Sequence, residues 1–389
     1  MKVCLVYPNL PPVVDGVGEY TCHLAGEMAA QGAEVTVISG PVPEGAGKVC
    51  PVSGNVRLGR TIHRWGVRGH GRLVGAIRET GCDVVVLQYT PYAYARCGLG
   101  VGVALLPHIL RVRLPCKVAV ALHEPWIPFQ GGPGRLLVAG WQRLATGYMV
   151  GACHRVIVTT EKRRRQLQRL VFPVGGNVSV VPVSSNIPVV ECDRAAARAH
   201  LGVGDGETLF AIFGMSHRHR DYEAVYRCLH TLIAEGHACR LVNIGKIASP
   251  GRLQALCRLE KELGLEGYIS WTGFCDAEMV SRILQAADVA VMPERFGIST
   301  RQTTLMAALS HALPVVAWRG PETDPVLERS GAIVFVNAGD EDGLTAAMRA
   351  AVLNPGTRNA MGMRGRELFE EHFSWPRVAE LTLKVLGRP

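Results

Sequence analysis

The sequence of 389 residues is poor in aromatic residues, at 6%, and modest in charge, at 19%. The aromatics are not interleaved with the basic residues, and no helix-turn-helix, RNA-recognition or zinc-finger pattern appears, which argues against nucleic acid as a partner. Twelve cysteines are present, yet no two form a C-x-x-C pair, so the spacing of a zinc site or a disulfide framework is missing. Scattered through apolar runs, they are expected as reduced core residues. Long hydrophobic runs are absent too. The longest uncharged stretch near the middle, Gly98 to Leu110, contains Pro107 and His108 and stops at Arg111, short of the ~20 residues of a membrane span. The opening MKVCLVYPNLPP has no extended apolar region and no small-residue cleavage site, which gives the expectation of a cytoplasmic protein.

What is there is a large apolar fraction, 48%, in a chain longer than the ~250–300 residues at which one core stops growing, so two domains are expected. The net charge of +9 is uneven: residues 1–190 hold 20 Lys and Arg against 9 Asp and Glu, giving +11, and the remainder holds 22 against 24, giving −2. The basic half implies an anionic or polar partner, such as phosphate groups or an acidic membrane surface, with peripheral contact to the inner membrane face among the expectations.

Short β-branched runs alternate with helical patterns, the rhythm of parallel sheets flanked by helices. Runs at 3–7, 35–38, 84–87, 118–122, 156–159 and 178–183 fall in the first half, with helices at 19–30, 133–152 and 161–170. Strands at 209–213, 240–244, 269–272, 289–292, 315–317 and 333–336 follow, with helices at 222–235, 252–263, 277–287, 302–310 and 341–353. The expected architecture is α/β: two doubly wound Rossmann-like domains, 1–190 and 207–372, facing a central cleft, joined by a linker at 191–206 and closed by a helix in 373–389 that packs back on the first domain.

After the first strand, the segment from Asn9 to Tyr20 contains Gly16 and Gly18 and opens a helix. Such glycines let backbone N–H groups approach a phosphate, although Thr21 stands where a third fingerprint glycine belongs. His123 ends a central strand, where an imidazole faces ligand and exchanges protons near neutral pH.

The opening through Val17-Gly-Glu-Tyr-Thr21 and Leu24 to Val35, with the runs at 83–89, 156–161, 178–182, 271–274, 286–293 and 312–317, resembles the family 4 glycosyltransferases of the GT-B fold, which use sugar nucleotides and retain anomeric configuration. The resemblance spans nearly the whole chain. It implies a glycosyltransferase of the hexosyltransferase class that takes a nucleoside-diphosphate sugar, uridine favoured over guanosine, as substrate and no cofactor. It further implies that His123 lies beside the reacting sugar and that Arg220, where the family has a lysine, neutralises the diphosphate; these are the catalytic candidates. Met215 replaces the family's arginine after Gly214, which leaves Arg218 or Arg301 to compensate. Gly273 and Phe274 join the donor-binding candidates.

The family's paired glutamates, with seven residues between them before Leu-Pro-Val-Val, are incomplete: counting back from Pro314 reaches Ser299 and Ala307, and counting forward from Glu294 reaches Gln302. In their place stands a hydroxyl-rich helix start, with Gly297, Ser299, Arg301, Thr303 and Thr304 expected to hold the donor phosphates. Retaining transfer in this fold needs cations and N–H donors rather than a protein nucleophile or a metal. Two other readings stay open: a GT-B sugar-nucleotide epimerase, which product analysis distinguishes, and a non-catalytic homologue that binds the sugar nucleotide.

Overall fold

The computed structural model describes residues 1–42, 55–60, 62–170, 177–216, 219–247 and 249–387. The chain divides into two compact units, Met1–Val183 with Trp375–Pro389, and Ser184–Ser374.

In the first unit the elements run β1 (Lys2–Val6), α1 (Gly16–Ala30), β2 (Glu34–Ser39), β3 (Val56–Arg60), α2 (His70–Thr80), β4 (Val84–Tyr89), α3 (Pro91–Tyr94), α4 (Val101–Arg113), β5 (Lys117–Leu122), α5 (Pro133–Gly151), β6 (Arg155–Val158), α6 (Glu161–Gln168) and β7 (Asn177–Val180). The strands form one parallel sheet in the order β3-β2-β1-β4-β5-β6-β7. Its centre is buried on both faces, which is why β1, β4 and β5 read as unbroken apolar runs rather than alternating ones. The edge strand β3, Val-Arg-Leu-Gly-Arg, escaped the sequence reading because its two arginines and glycine break that pattern.

The second unit runs α7 (Arg194–His200), β8 (Thr208–Phe213), α8 (Tyr222–Ala234), β9 (Cys239–Ile244), α9 (Pro250–Glu262), β10 (Ile269–Trp271), α10 (Ala277–Ala286), β11 (Val289–Met292), α11 (Thr303–Ser310), β12 (Val315–Arg319), α12 (Pro325–Glu328), β13 (Ile333–Asn337), α13 (Glu341–Leu353) and α14 (Pro355–His372). Its parallel sheet has the order β10-β9-β8-β11-β12-β13. Phe210, Tyr222, Tyr226 and Trp318 are the large side chains of its core.

The last helix, α15 (Trp375–Gly387), belongs to the first unit. Its Trp375 ring stacks on His23 of α1 at 5.1 Å and leans on Tyr20 at 5.3 Å, and Gln31 donates to the carbonyl of Pro376 at 2.7 Å.

The stretch expected as a linker with a small helical piece carries α7. Asp193 caps this helix, and its Arg194 and Arg198 both bind the buried Asp288, at 2.7 and 2.9 Å. One expectation is corrected: the cysteines are not all reduced, because Cys22 is disulfide-bonded.

Asp288 ties three elements together. Arg358 of α14 also reaches it, at 3.1 Å, and its Oδ2 accepts from the Leu209 N–H at the start of β8 at 2.8 Å. Burial alone would raise its pKa, but the Leu209 N–H and the three arginines hold it below the usual aspartate value. Its stabilising contribution is therefore present at neutral pH and is lost as pH falls through the lowered folded pKa. Asp288→Asn, which removes the counter-charge of three arginines at once, is expected to destabilise the protein by about 3 kcal/mol at pH 7 in urea unfolding, the scale for breaking a buried ion pair. The difference from the parent should narrow toward pH 3.

Candidate functional site

In a doubly wound sheet, ligands bind beyond the carboxyl ends of the strands where the strand order reverses. The second unit has that reversal at β8 and β11, neighbours that pair in parallel. The loops that leave them meet in an antiparallel bridge between Arg220 and Glu294, extended by hydrogen bonds from Asp221 N–H to Pro293 O and from Arg295 N–H to His219 O.

Arg220 is 5% exposed. Its Nε and Nη2 both lie 2.9 Å from Glu294 Oε1, and Nη1 donates to the carbonyl of Phe213 at 2.7 Å. Burial opposes its charge, yet Glu294 and Tyr222 together hold its pKa above the usual arginine value. Oε2 of Glu294 is buried without a hydrogen-bond partner among the described residues. One cavity is lined by Phe213, Arg220, Glu294 and Thr304.

Gly214 follows β8 at a φ of +111°, and a Cβ there would stand 2.9 Å from both Arg220 Nη1 and Thr304 Cγ2. Only glycine lets the guanidinium and the start of α11 approach the strand end this closely. The neighbouring loops converge on the same edge: Gly245, after β9, bridges Gly273, after β10. Phe274 beside it is 67% exposed, and Lys246 Nζ lies 5.2 Å from its ring centroid.

The segment before α11 is tightly organised. Gly297 has a φ of +85° and packs against Gly320 and Thr323. The Ser299 N–H donates to Gln302 Oε1 at 2.7 Å, and the Thr300 N–H and hydroxyl both donate to Asp324 Oδ2 at 2.8 Å. Burial raises the Asp324 pKa, the Thr300 bonds lower it, Glu322 raises it and Arg301 lowers it. Because Gln302 Oε1 is turned back to Ser299, the N-cap makes no side-chain bond to the first turn of α11, which Thr303 and Thr304 begin. Its N–H groups and the positive end of the helix dipole are uncapped.

The first unit's reversal lies at β1 and β4, and here the helix start is closed. Asp15 caps α1, its Oδ1 accepting from Val17 and Gly18 N–H at 2.9 and 3.1 Å while Tyr7 and Asn9 also bind the carboxylate. At the glycines expected to serve a donor phosphate, Gly16 and Gly18, this carboxylate thus caps the helix start. Gly18 is glycine for packing: a Cβ would fall 2.1 Å from the carbonyl of Asn9.

His123 follows β5. Its Nε2 lies 2.7 Å from Oε1 of the fully buried Gln88, and Tyr20 meets its ring edge-on at 4.9 Å. Burial pushes its pKa down to about 4, against the pull of Asp15. A pKa there keeps the ring neutral near pH 7, with Nε2 the donor to Gln88.

The structure thus groups Gly214, Arg220, Thr303 and Thr304 at one strand edge, with Gly273 and Phe274 on the adjoining loops. Ser299 is buried at 3% exposure as part of the loop's framework. Arg301 acts on Asp324, and Arg218 lies outside the described residues. Glu294 as the partner of Arg220, and Gln88, Lys246 and Asp324, were missed as site residues; none belongs to a local motif, and only the fold brings them to their partners. Among the described residues no group of three or more His, Cys, Asp or Glu could hold a metal ion.

Two parallel Rossmann-like sheets, each with its ligand edge at a strand reversal, define an α/β protein of the GT-B class. The profile described as "Glycosyltransferase Family 4" matches residues 14–183, and "Glycosyl transferases group 1" matches residues 207–354. Between them they cover most of the chain, which belongs to the family 4 type of GT-B glycosyltransferases. A D-inositol 3-phosphate glycosyltransferase of Nocardia farcinica is 27% identical over 241 residues, 60% of this chain and 52% of its own length. The chain spans about half the length of the curated relatives it matches. Among solved structures, sucrose-phosphate synthase from Thermosynechococcus elongatus superposes with a TM-score of 0.75 at 18% identity, covering 99% of this chain and 98% of that one. Anabaena HepE in complex with UDP gives 0.69 at 14% identity, covering 99% of each.

Two outcomes follow from this geometry. Ala307, the position of the missing glutamate counted from Pro314, is fully buried inside α11. Ala307→Glu would bury a carboxylate, so it is expected to lower stability by at least ~2 kcal/mol in chemical unfolding and to gain no ligand affinity. The lowered pKa of His123 means that the unfolded chain binds its proton between pH 6.5 and about 4 while the native one does not, so this group costs stability as pH falls through that window. The Tm advantage of the parent over His123→Gln should shrink from pH 7 to pH 4.5.

Proposed function

We propose that the protein transfers a sugar from a nucleoside-diphosphate sugar to an acceptor with retention of anomeric configuration. The observation that carries this reading is the uncapped start of α11 beside Gly214 and the buried Arg220–Glu294 pair. It offers N–H groups, the hydroxyls of Thr303 and Thr304 and a guanidinium to a diphosphate. The free oxygen of Glu294 offers an acceptor to a sugar hydroxyl, and the exposed Phe274 ring, with Lys246 over it, a platform for the base. That Anabaena HepE is solved with UDP and with UDP-glucose supports a uridine nucleotide as donor.

In the proposed reaction the bond from the anomeric carbon to the diphosphate oxygen breaks. The acceptor hydroxyl attacks on the same face and gives its proton to the departing phosphate oxygen. The protein's contribution is electrostatic: donors aimed at the growing phosphate charge in a site that is already organised. His123, neutral at working pH, hydrogen-bonds on the acceptor side rather than shuttling a proton. The basic first half is assigned to an anionic or polar acceptor, a glycan, a lipid-linked glycan or a small molecule, with peripheral membrane contact.

Calorimetry with a set of nucleoside-diphosphate sugars tests the donor. A uridine-diphosphate sugar should bind, and Arg220→Lys, which keeps the charge opposite Glu294 but loses the forked donors, should weaken it about tenfold, or ~1.4 kcal/mol. Absence of binding by every donor overturns the reading, and an inverted anomer in the product overturns the stereochemistry.

A further inference from the structure

Amphipathic surface helices bury their apolar face and expose a polar one, whereas α5 carries apolar residues on both. Its buried face includes Ala139, Ala145, Met149 and Val150, with Gln142 and Thr146 among them. Its outward side presents Leu137, Leu144 and Tyr148, with the half-buried Trp141 between the first two. Leu137 is 76% exposed and Leu144 50%. The adjoining α4 exposes Val101 and Val112, the latter by 82%, with Leu105 and His108 half-buried between them. The two stripes are joined where the His108 ring stacks on Tyr148 at 4.1 Å, its Nε2 2.9 Å from the Tyr148 carbonyl.

The surroundings of this apolar surface are cationic. Arg111 and Arg113 close α4 and Arg135 opens α5, all three exposed. Arg143 lies over the exposed Phe129 ring at 3.8 Å. Between residues 84 and 160 the chain holds seven Lys and Arg and one acidic residue, Glu124. No helix among the described residues is long and apolar enough to cross a membrane, so burial of this face in lipid would be interfacial.

We propose that the α4–α5 face docks on the surface of an anionic lipid bilayer, with Leu137, Leu144 and Val112 entering the acyl boundary and the arginines meeting lipid phosphates. Apolar side chains ringed by arginine, tryptophan and tyrosine match the interface of a bilayer, whose phosphates supply the missing negative charge. A second copy of the chain fits less well: a twofold pairing through this face would set the same arginines against each other. The inference deepens the membrane contact assigned above to the basic half and is independent of the donor reading, because it is measured without nucleotide.

The test is co-sedimentation of the full chain with vesicles of phosphatidylcholine alone and of phosphatidylcholine mixed with phosphatidylglycerol. The protein should partition into the mixed vesicles, less so as salt rises, and stay largely in solution with phosphatidylcholine alone. Leu137→Glu with Leu144→Glu should reduce partitioning at least about tenfold at unchanged circular dichroism, since two exposed leucines lose their burial in lipid. Arg111→Gln with Arg135→Gln serves as a second variant and should flatten the salt dependence. Failure of the parent to sediment with anionic vesicles overturns the proposal, as does equal sedimentation of both variants. A parent that is dimeric in ultracentrifugation and becomes monomeric in the leucine variant would assign the face to self-association instead. Donor binding by calorimetry should be unchanged in all variants, so the outcome is separable from the fate of the glycosyltransferase reading.

Discussion

A parallel strand can be reached only by a crossover, and where successive crossovers start on opposite faces of the sheet, the loops at the carboxyl ends of two adjacent strands diverge and leave an opening. Both sheets of this protein have that reversal, at β1 against β4 and at β8 against β11. Side chains distant in sequence are brought together there by topology alone. Arg220 and Glu294 are separated by 74 residues and meet through paired backbone as well as side chains. A buried ion pair held in this way contributes less to net stability than to geometry, because its attraction mainly offsets desolvation. Its effect is to fix a guanidinium at the mouth of a helix whose first turn lacks a capping side chain.

The contrast between the two units follows from one residue at each helix start. Asp15 fills the N–H groups of α1 with its own carboxylate and is itself held by Tyr7 and Asn9. Gln302, at the equivalent point of α11, spends its side-chain oxygen on Ser299 and leaves the helix end open. Helix N-termini attract anions generally, so the proposed diphosphate site falls on the unit whose helix start lacks an internal anion. Burial acts on His123 as well: beside Gln88 it makes the neutral imidazole the favoured state near neutral pH.

Most of the fold was legible because central parallel strands are buried on both faces and have to be apolar throughout. β1, β4, β8 and β11 stand out from the sequence for this reason. The edge strand β3 does not, since a half-exposed strand tolerates Arg57, Gly59 and Arg60. Helix α7 was legible as a small helical piece, but not its anchor, Asp288, 94 residues away from Arg194. In the candidate site, Gly214 and Arg220 stand out by their place after a strand, as part of the family resemblance. Gly16 and Gly18 follow a strand too, and a strand–glycine–helix pattern is the same whether the helix end is capped by a neighbouring Asp or open to ligand.

The broken glutamate pair has a structural cause in residues 298–302. Counted from Glu294 or from Pro314, the pair falls at positions that differ by five residues, and each count is right at its own end. Glu294 sits just beyond β11, bonded to Arg220, while Pro314 precedes β12 and sets the register of α11 behind it. Between them the chain turns at Gly297, is anchored by Thr300 on Asp324 and by Ser299 on Gln302, and enters the helix only at Thr303. The additional residues lie in this buried loop rather than in a longer helix, so a second glutamate at either counted position is unsupported: 302 is the N-cap, turned back to Ser299, and 307 faces the core. Ala312, at a φ of +53° just after the helix, holds the chain in the left-handed turn that leads to Pro314, a conformation that alanine adopts only where the surrounding packing imposes it. That packing includes Gly362 of α14, where a Cβ would come 2.0 Å from the Ala312 carbonyl. The helix start that faces Arg220 is thus positioned from behind by the close approach of α14 and from in front by the Asp324 anchor.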